Sequence, residues 1–121
     1  MGKCILVVED QADNREILRD LLTFSGFEIV EATDGAQALD AITIRRPDLI
    51  LMDIQLPVMD GYEATRRIKA DPATKDIPII VVTSYALSGD EAKARAAGSD
   101  DYVAKPFSPR ALLTKIREYL D

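Results

Sequence analysis

The sequence alternates between short apolar runs and stretches with helical periodicity, and this alternation limits the chain to a small set of folds. The runs are rich in branched residues and lie at residues 4–8, 28–31, 49–52, 77–82 and 101–104. The first, third and fourth runs are continuously apolar, which is typical of strands that helices cover on both faces of a parallel sheet. The alternation predicts five βα units in one doubly wound α/β domain over residues 1–121.

Residues that start and stop helices separate these runs. Gly26 ends the first helical stretch as a left-handed cap, and Pro47 follows the second, which covers residues 34–46 with basic residues in its last turn. Ser88 and Glu91 have the spacing of a capping box for the fourth helix. The apolar face expected of the first helix consists of Ile17, Leu18, Leu21 and Leu22. Helices with such faces are able to cover both sides of the predicted sheet.

The composition favours protein partners. A net charge of −6 argues against a nucleic-acid partner or an anionic membrane surface, because phosphate backbones are bound by an excess of Lys and Arg. No apolar run approaches the roughly 18 residues of a membrane span, and the N-terminus lacks the pattern of a secretory signal. We therefore expect a cytoplasmic protein, monomeric or weakly dimeric, in which Cys4 is a buried thiol.

Several side chains that carry chemistry follow the predicted strands directly. In doubly wound sheets the working site lies past the carboxyl ends of the central strands, where strand order reverses. The side chains expected there, after the first, third, fourth and fifth strands, are Glu9, Asp10, Asp53, Thr83, Ser84 and Lys105. The second strand is followed by nothing comparable. The sequence thus predicts that three carboxylates, hydroxyl groups and an ammonium group converge at one edge of the sheet.

Three carboxylates packed together indicate a cation and phosphoryl chemistry. Like charges at close range raise at least one pKa or attract a cation, and Mg²⁺ prefers carboxylate oxygens while keeping positions for a phosphate. Asp53 stands alone at the end of a buried strand and is the expected nucleophile, since carboxylates attack phosphorus to form acyl phosphates. Lys105 and Thr83 would meet the charge that spreads over the phosphoryl oxygens.

The motifs at these positions resemble those of a known family. The segments VVEDQ, LMDIQLPVMDGYE, VVTSYA and YVAKPF look like the motifs of response-regulator receiver domains of two-component signalling, the CheY-like fold. The resemblance covers the whole chain and implies the strand order 2-1-3-4-5 of that fold. It implies a phosphoacceptor signalling domain, and not an enzyme, that assists only its own phosphorylation and dephosphorylation.

The resemblance also implies a role for each residue at the site. Asp53 would accept a phosphoryl group from a histidine kinase or a histidine phosphotransfer protein. The implied Mg²⁺ ligands are Asp10, Asp53 and the backbone carbonyl of Gln55, with Glu9 acting mainly through water. Thr83 and Tyr102 would form the switch pair and Lys105 the phosphate contact, with the Lys105–Pro106 peptide bond in the cis form.

The absence of histidine supports an external phosphoryl donor. The sequence contains no histidine, so the chain is unable to serve as its own phosphohistidine donor. We expect phosphorylation to draw Thr83 inward and Tyr102 after it, which would change the surface of the fourth helix, fifth strand and fifth helix that a downstream protein binds. Tyr85 would shield the acyl phosphate from water, and Gln55 would be the other neighbour able to steer that water.

Three other functions fit the architecture less well. A flavodoxin-like cofactor binder needs a first loop rich in small or hydroxyl residues, whereas this loop reads EDQADN. A Mg²⁺-dependent phosphohydrolase with an aspartyl nucleophile resembles haloacid-dehalogenase-type enzymes, which place an acid two residues after the nucleophile, where this chain has Gln55. A degenerate receiver that only docks, without phosphorylation, is disfavoured because every required residue type is present.

The sequence is compatible with two kinds of receiver. The stretch TSYALSGDEAKARAAG resembles DivK-like single-domain regulators and receivers attached to hybrid kinases. Since the sequence ends directly after the predicted fifth helix, we expect a stand-alone regulator. The alternative is the internal relay receiver of a hybrid kinase.

Overall fold

The computed structural model describes residues 2–83 and 90–120, with the backbone alone at residues 90 and 91. The strands of this part of the chain are β1 (Cys4–Val8), β2 (Glu28–Ala32), β3 (Leu49–Asp53), β4 (Ile79–Thr83) and β5 (Asp101–Ala104). The helices that alternate with them are α1 (Ala12–Phe24), α2 (Gly35–Ile44), α3 (Gly61–Ala70), α4 (Asp90–Ala97) and α5 (Pro109–Leu120). The predicted succession of βα units is confirmed.

The strands form one parallel sheet in the order β2-β1-β3-β4-β5, as the resemblance implied. Every residue of β1, β3 and β4 is buried, because helices cover both faces of the sheet. The order reverses between β1 and β3, where Val8 pairs with Met52. The residues that follow these two, Glu9 and Asp53, therefore emerge side by side at the carboxyl edge.

Two hydrophobic clusters hold the helices on the sheet. One joins the sheet to α2, α3 and α4, and the other joins it to α1 and α5. In α1 the buried residues are Leu18 and Leu22, and Leu21 is half-buried. Ile17 is 61% exposed, so its prediction as a core residue is wrong. The face of α1 that contacts the sheet is centred on Leu18 and Leu22, which are four residues apart. Ile17 lies to one side of this face and points away from the sheet.

Some of the helix ends lie where the sequence predicts them, and others do not. Gly26 and Gly98 have left-handed backbones, with φ of 94° and 100°. The second helix ends at Ile44, so basic residues do not occupy its last turn. Arg45 is extended and its guanidinium instead binds Glu28 Oε2 at 2.9 Å. The capping box of Ser88 and Glu91 lies outside the described side chains.

Three further features of the fold relate to sequence predictions. Cys4 is a buried free thiol, as predicted, and burial is the main cause that raises its pKa. Within residues 2–83 and 90–120, no helix combines the length and the apolar character needed to cross a membrane. The strand predicted from residue 77 starts at Ile79, because Pro78 has no N–H to donate to a neighbouring strand.

Candidate functional site

Three carboxylates meet at the carboxyl edge of the sheet. Glu9 and Asp10 follow β1, and Asp53 is the last residue of β3. One carboxylate oxygen from each lies within 4.8 Å of the other two. Glu9 is 2% exposed and Asp53 is 6% exposed, whereas Asp10 is half-buried. The predicted convergence of these three side chains is confirmed.

Lys105 brings a positive charge into the same cluster. Its Nζ donates to Glu9 Oε1 at 3.1 Å and to Asp53 Oδ2 at 3.3 Å. The residue directly follows β5, and its backbone N–H donates to the carbonyl of Thr83, the last residue of β4, at 2.7 Å. The Lys105–Pro106 peptide bond is cis, as expected. Residues from β1, β3, β4 and β5 are thus joined through one lysine.

The cluster keeps an excess of negative charge. Burial, together with the hydrogen-bonded and charged Asp53 carboxylate, raises the pKa of Glu9. Burial alone would lower the pKa of Lys105, but the charge of Asp53 and the hydrogen bond to Glu9 outweigh it and raise that pKa. Because one ammonium faces three carboxylates, the site is able to accommodate a further cation with a preference for oxygen ligands.

The loop between β3 and α3 fixes the position of Asp53. Its Oδ1 accepts a hydrogen bond from the N–H of Ile54 at 2.7 Å, and the N–H of Gly61 donates to the Ile54 carbonyl at 2.9 Å. A Cβ at Gly61 would overlap the backbone carbonyl of Asp53, so only glycine permits this approach. Gln55 lies exposed in the same loop.

The same loop contains a strained turn. Val58 has φ of 67°, and the N–H of Met59 donates to the Pro57 carbonyl at 2.6 Å. A β-branched residue is rarely found in this left-handed conformation, since its Cβ crowds the backbone. Strained turns of this kind occur often beside functional sites.

The two residues expected to form a switch lie on neighbouring strands. Thr83 is 1% exposed at the end of β4, and Tyr102 is half-buried on β5. In the register, Thr83 pairs with Ala104 and Tyr102 pairs with Val81. Because alternate residues of a strand share a face, Thr83 and Tyr102 face the same side of the sheet, two residues apart. Ser84 and Tyr85 lie outside the described residues.

An apolar groove opens beside Lys105. It has a volume of about 430 Å³ and lies between α1 and the segment that joins β5 to α5. Its lining residues are Glu9, Asn14, Ile17, Leu18, Lys105, Pro106, Phe107 and Pro109. The exposure of Ile17 follows from this groove, because no part of the described chain covers that side of α1. Periodicity alone does not reveal such a gap between two elements.

Comparisons with known proteins agree with the site. The response regulator receiver domain family matches residues 5–117. The polar-differentiation response regulator DivK of Brucella anthropi is 42% identical over 120 residues, which cover 99% of this chain and 98% of that protein. The likeness to DivK-like regulators is therefore confirmed.

Solved structures show the same fold. The receiver domain of a sensor histidine kinase from Pseudomonas aeruginosa, with a magnesium ion coordinated in its active-site cleft, has a TM-score of 0.93 and 39% identity, and the match covers 99% of this chain and 98% of that one. A chemotaxis response regulator of Vibrio cholerae has a TM-score of 0.91 and 28% identity, with 98% and 99% coverage.

Phosphorylation and a dependence on Mg²⁺, bound at an acidic pocket, are general to receiver domains, which act as signalling proteins and not as classical enzymes. The family match over nearly the whole chain, the DivK-like relative and the acidic cluster all agree. This chain belongs to the response-regulator receiver-domain family of two-component signalling.

Proposed function

We propose that Asp53 is the phosphoryl acceptor of this receiver. The observation that carries the proposal is the position of its carboxylate, which is buried at the end of β3 and shares Lys105 with Glu9. In the transfer, an oxygen of Asp53 attacks the phosphorus atom, and the bond from phosphorus to the donor breaks with its electron pair leaving on the donor. Lys105 and Thr83 stabilise the charge on the phosphoryl oxygens.

We propose that the acidic cluster holds Mg²⁺. Glu9, Asp10 and Asp53 supply oxygen ligands or water contacts, and the backbone carbonyl of Gln55 completes the set. The excess negative charge described above supports this assignment. When bound, the metal ion offsets the repulsion between the acids and an incoming phosphoryl group. Lys105, which neutralises the two buried acids in this structure, would then be available to contact the phosphoryl oxygens.

We propose a histidine kinase or a histidine phosphotransfer protein as the donor. The chain has no histidine of its own, so the phosphoryl group comes from another molecule. The apolar groove beside Lys105 offers a docking surface next to the acceptor, and its rim includes the 61% exposed Ile17. A helix with apolar residues around its histidine fits such a groove.

We propose that the output surface is formed by α4, β5 and α5. Thr83 and Tyr102 link it to the acceptor, because they lie on one face of the sheet and Tyr102 packs against the cluster that includes α4. On the same surface, Lys115 Nζ donates to Asp101 Oδ2 at 3.2 Å, and so does the hydroxyl of Tyr119 at 3.2 Å. A shift of β5 would therefore be transmitted to α5.

The mass of the intact protein after incubation with acetyl phosphate tests the acceptor. We expect one phosphoryl group to be added in the presence of Mg²⁺ and none in the presence of a chelator. Asp53→Asn should add none under either condition. Asp40→Asn is a matched control, because Asp40 is exposed on α2, and it should behave as the unsubstituted protein does. Addition of a phosphoryl group to Asp53→Asn would refute the assignment.

A relay receiver is the second candidate, since this chain resembles the receiver domain of a histidine kinase at 39% identity. A relay receiver passes its phosphoryl group onward to a second histidine, whereas a DivK-like regulator acts by binding other proteins. Profiling of phosphotransfer against purified histidine kinases and phosphotransfer proteins, followed by binding assays with and without phosphorylation, separates the two. Onward transfer without phosphorylation-dependent binding would identify a relay.

A further inference from the structure

The turn between β1 and α1 carries two of the three acids, Glu9 and Asp10. Its own side chains provide few hydrogen bonds that would hold the backbone of the turn in place. Gln11 is the N-cap residue of α1, and its side chain makes no capping hydrogen bond. The N–H of Glu9 donates to the Ala32 carbonyl at 3.0 Å, and the N–H of Gln11 donates to Glu9 Oε2 at 3.3 Å. These contacts involve the N–H groups of the turn and leave the carbonyl groups of Glu9 and Asp10 for other donors.

Arg15 provides that partner. Its Nη1 donates to the carbonyl of Glu9 at 3.0 Å and to the carbonyl of Asp10 at 3.4 Å. The side chain of Arg15 is 21% exposed, so most of it is held within the protein. Because the backbone sets the direction of each Cα–Cβ bond, a group that binds both carbonyls restricts the positions that the two carboxylates are able to reach.

The β2 strand anchors Arg15 in turn. Arg15 Nε lies 3.4 Å from Glu31 Oε1, and Arg19 Nη1 lies 3.5 Å from Glu31 Oε2. Glu31 precedes Ala32, whose carbonyl accepts the hydrogen bond from Glu9. The end of β2 therefore contacts the acidic turn in two ways. The Ala32 carbonyl accepts a hydrogen bond from the turn directly, and Glu31 binds the planar guanidinium group of Arg15, which in turn binds the carbonyls of the turn.

From these contacts we infer that Arg15 is a positioning residue for the metal site. It fixes the backbone of Glu9 and Asp10 so that their carboxylates face Asp53 before the metal arrives. This inference rests on the proposed metal site and adds a residue on α1 and an anchor on β2. Arg15 itself is positively charged, so its charge alone would weaken the binding of Mg²⁺. The positioning role and the charge role thus predict opposite results when Arg15 is replaced.

Calorimetric titration with Mg²⁺ distinguishes them. For Arg15→Gln we expect the dissociation constant of Mg²⁺ to rise about tenfold or more, as is usual when a residue that orients metal ligands is lost. Arg19→Gln is the matched control, because Arg19 pairs with the same Glu31 but lies one helical turn further from the acidic turn. The dissociation constant of Mg²⁺ for Arg19→Gln should stay within about twofold of the value for the unsubstituted protein.

Tighter or unchanged Mg²⁺ binding by Arg15→Gln would overturn the inference, and so would an equal loss in both variants. Should Arg15→Gln fail to fold, Glu31→Gln keeps the test open, because it removes the anchor and leaves Arg15 in place. A smaller but measurable loss of affinity is then expected, and no loss would count against the role of Arg15. If the unsubstituted protein binds no Mg²⁺, the proposed function fails instead.

Discussion

Replacing Asp53 by asparagine should make the metal-free protein more stable. The substitution removes one of three carboxylates whose oxygens lie within 4.8 Å of one another, and it also weakens the contact of Asp53 with Lys105 at 3.3 Å. An asparagine oxygen is still able to accept the hydrogen bond from the N–H of Ile54. The sign of the change therefore depends on whether the lost repulsion exceeds the lost attraction.

From the distances, the repulsion of Asp53 by the other two acids is larger than its attraction to Lys105. At an effective dielectric constant of about 20, a pair of like charges at the upper limit of 4.8 Å costs about 3.5 kcal/mol, and the pair of opposite charges at 3.3 Å gains about 5 kcal/mol. Asp53 has two acidic neighbours and one lysine, so its removal relieves about 2 kcal/mol of net repulsion. Asp10 is half-buried and solvent screens its share, which leaves an expected gain of about 1–2 kcal/mol.

Urea unfolding at pH 8 in a chelator measures this gain. The corresponding rise in the melting temperature is roughly 3–10 °C for a domain of this size. Added Mg²⁺ at ten times its dissociation constant should stabilise the unsubstituted protein by about 1.4 kcal/mol, and Asp53→Asn by less. Asp40→Asn should change neither value. If Asp53→Asn proved no more stable than the unsubstituted protein without metal, the acids would not repel one another as their distances require.

Three further substitutions test the strained turn, the proposed switch and the ion pairs of Lys105. Val58→Gly should stabilise the protein by about 1 kcal/mol in urea unfolding, because glycine adopts φ of 67° without strain and Val58 is 84% exposed; an unchanged midpoint would show that the turn is not strained. Tyr102→Ala should still be phosphorylated, but the phosphorylation-induced changes in the NMR amide shifts of α5 should disappear, and their persistence would contradict the switch. Lys105→Met should cost about 2 kcal/mol at pH 8, since it leaves Glu9 and Asp53 without their counter-ion. The pKa of Lys105 is raised on folding, so its stabilisation is present below the ordinary lysine pKa and is lost as pH rises through the folded value. Unfolding curves of the two proteins should accordingly converge at alkaline pH, and a constant difference would exclude the ionic contribution.

The sequence allowed the fold and most of the site to be predicted because both depend on chain order. Continuous apolar runs identify buried strands, and the residue after each run must lie at the carboxyl edge of a parallel sheet. Glu9, Asp53 and Lys105 could therefore be assigned to one place although they are distant in sequence. Their chemistry predicted Asp53 as the nucleophile and Lys105 as a phosphate contact, and the family resemblance added the individual Mg²⁺ ligands and the switch pair.

The features that were missed depend on packing between elements. Ile17 has the spacing of a core residue, but the segment after β5 leaves it uncovered. Arg15 has no recognisable pattern, because its partners are backbone carbonyls that every residue possesses. The one signal available was an acid at the end of β2, Glu31, which has two arginines of α1 as partners. The sequence places no comparable group after that strand, so it predicts no role for β2 at the site.

The way in which Lys105 joins the site has a consequence for the synthesis of the protein. Its ammonium group contacts acids that are 96 and 52 residues earlier in the chain. A growing polypeptide on the ribosome already contains both acids long before this lysine is added, yet it lacks the counter-ion that holds them together. If Asp53 is the acceptor as proposed, a chain shorter than 105 residues would lack this lysine contact at the acceptor site.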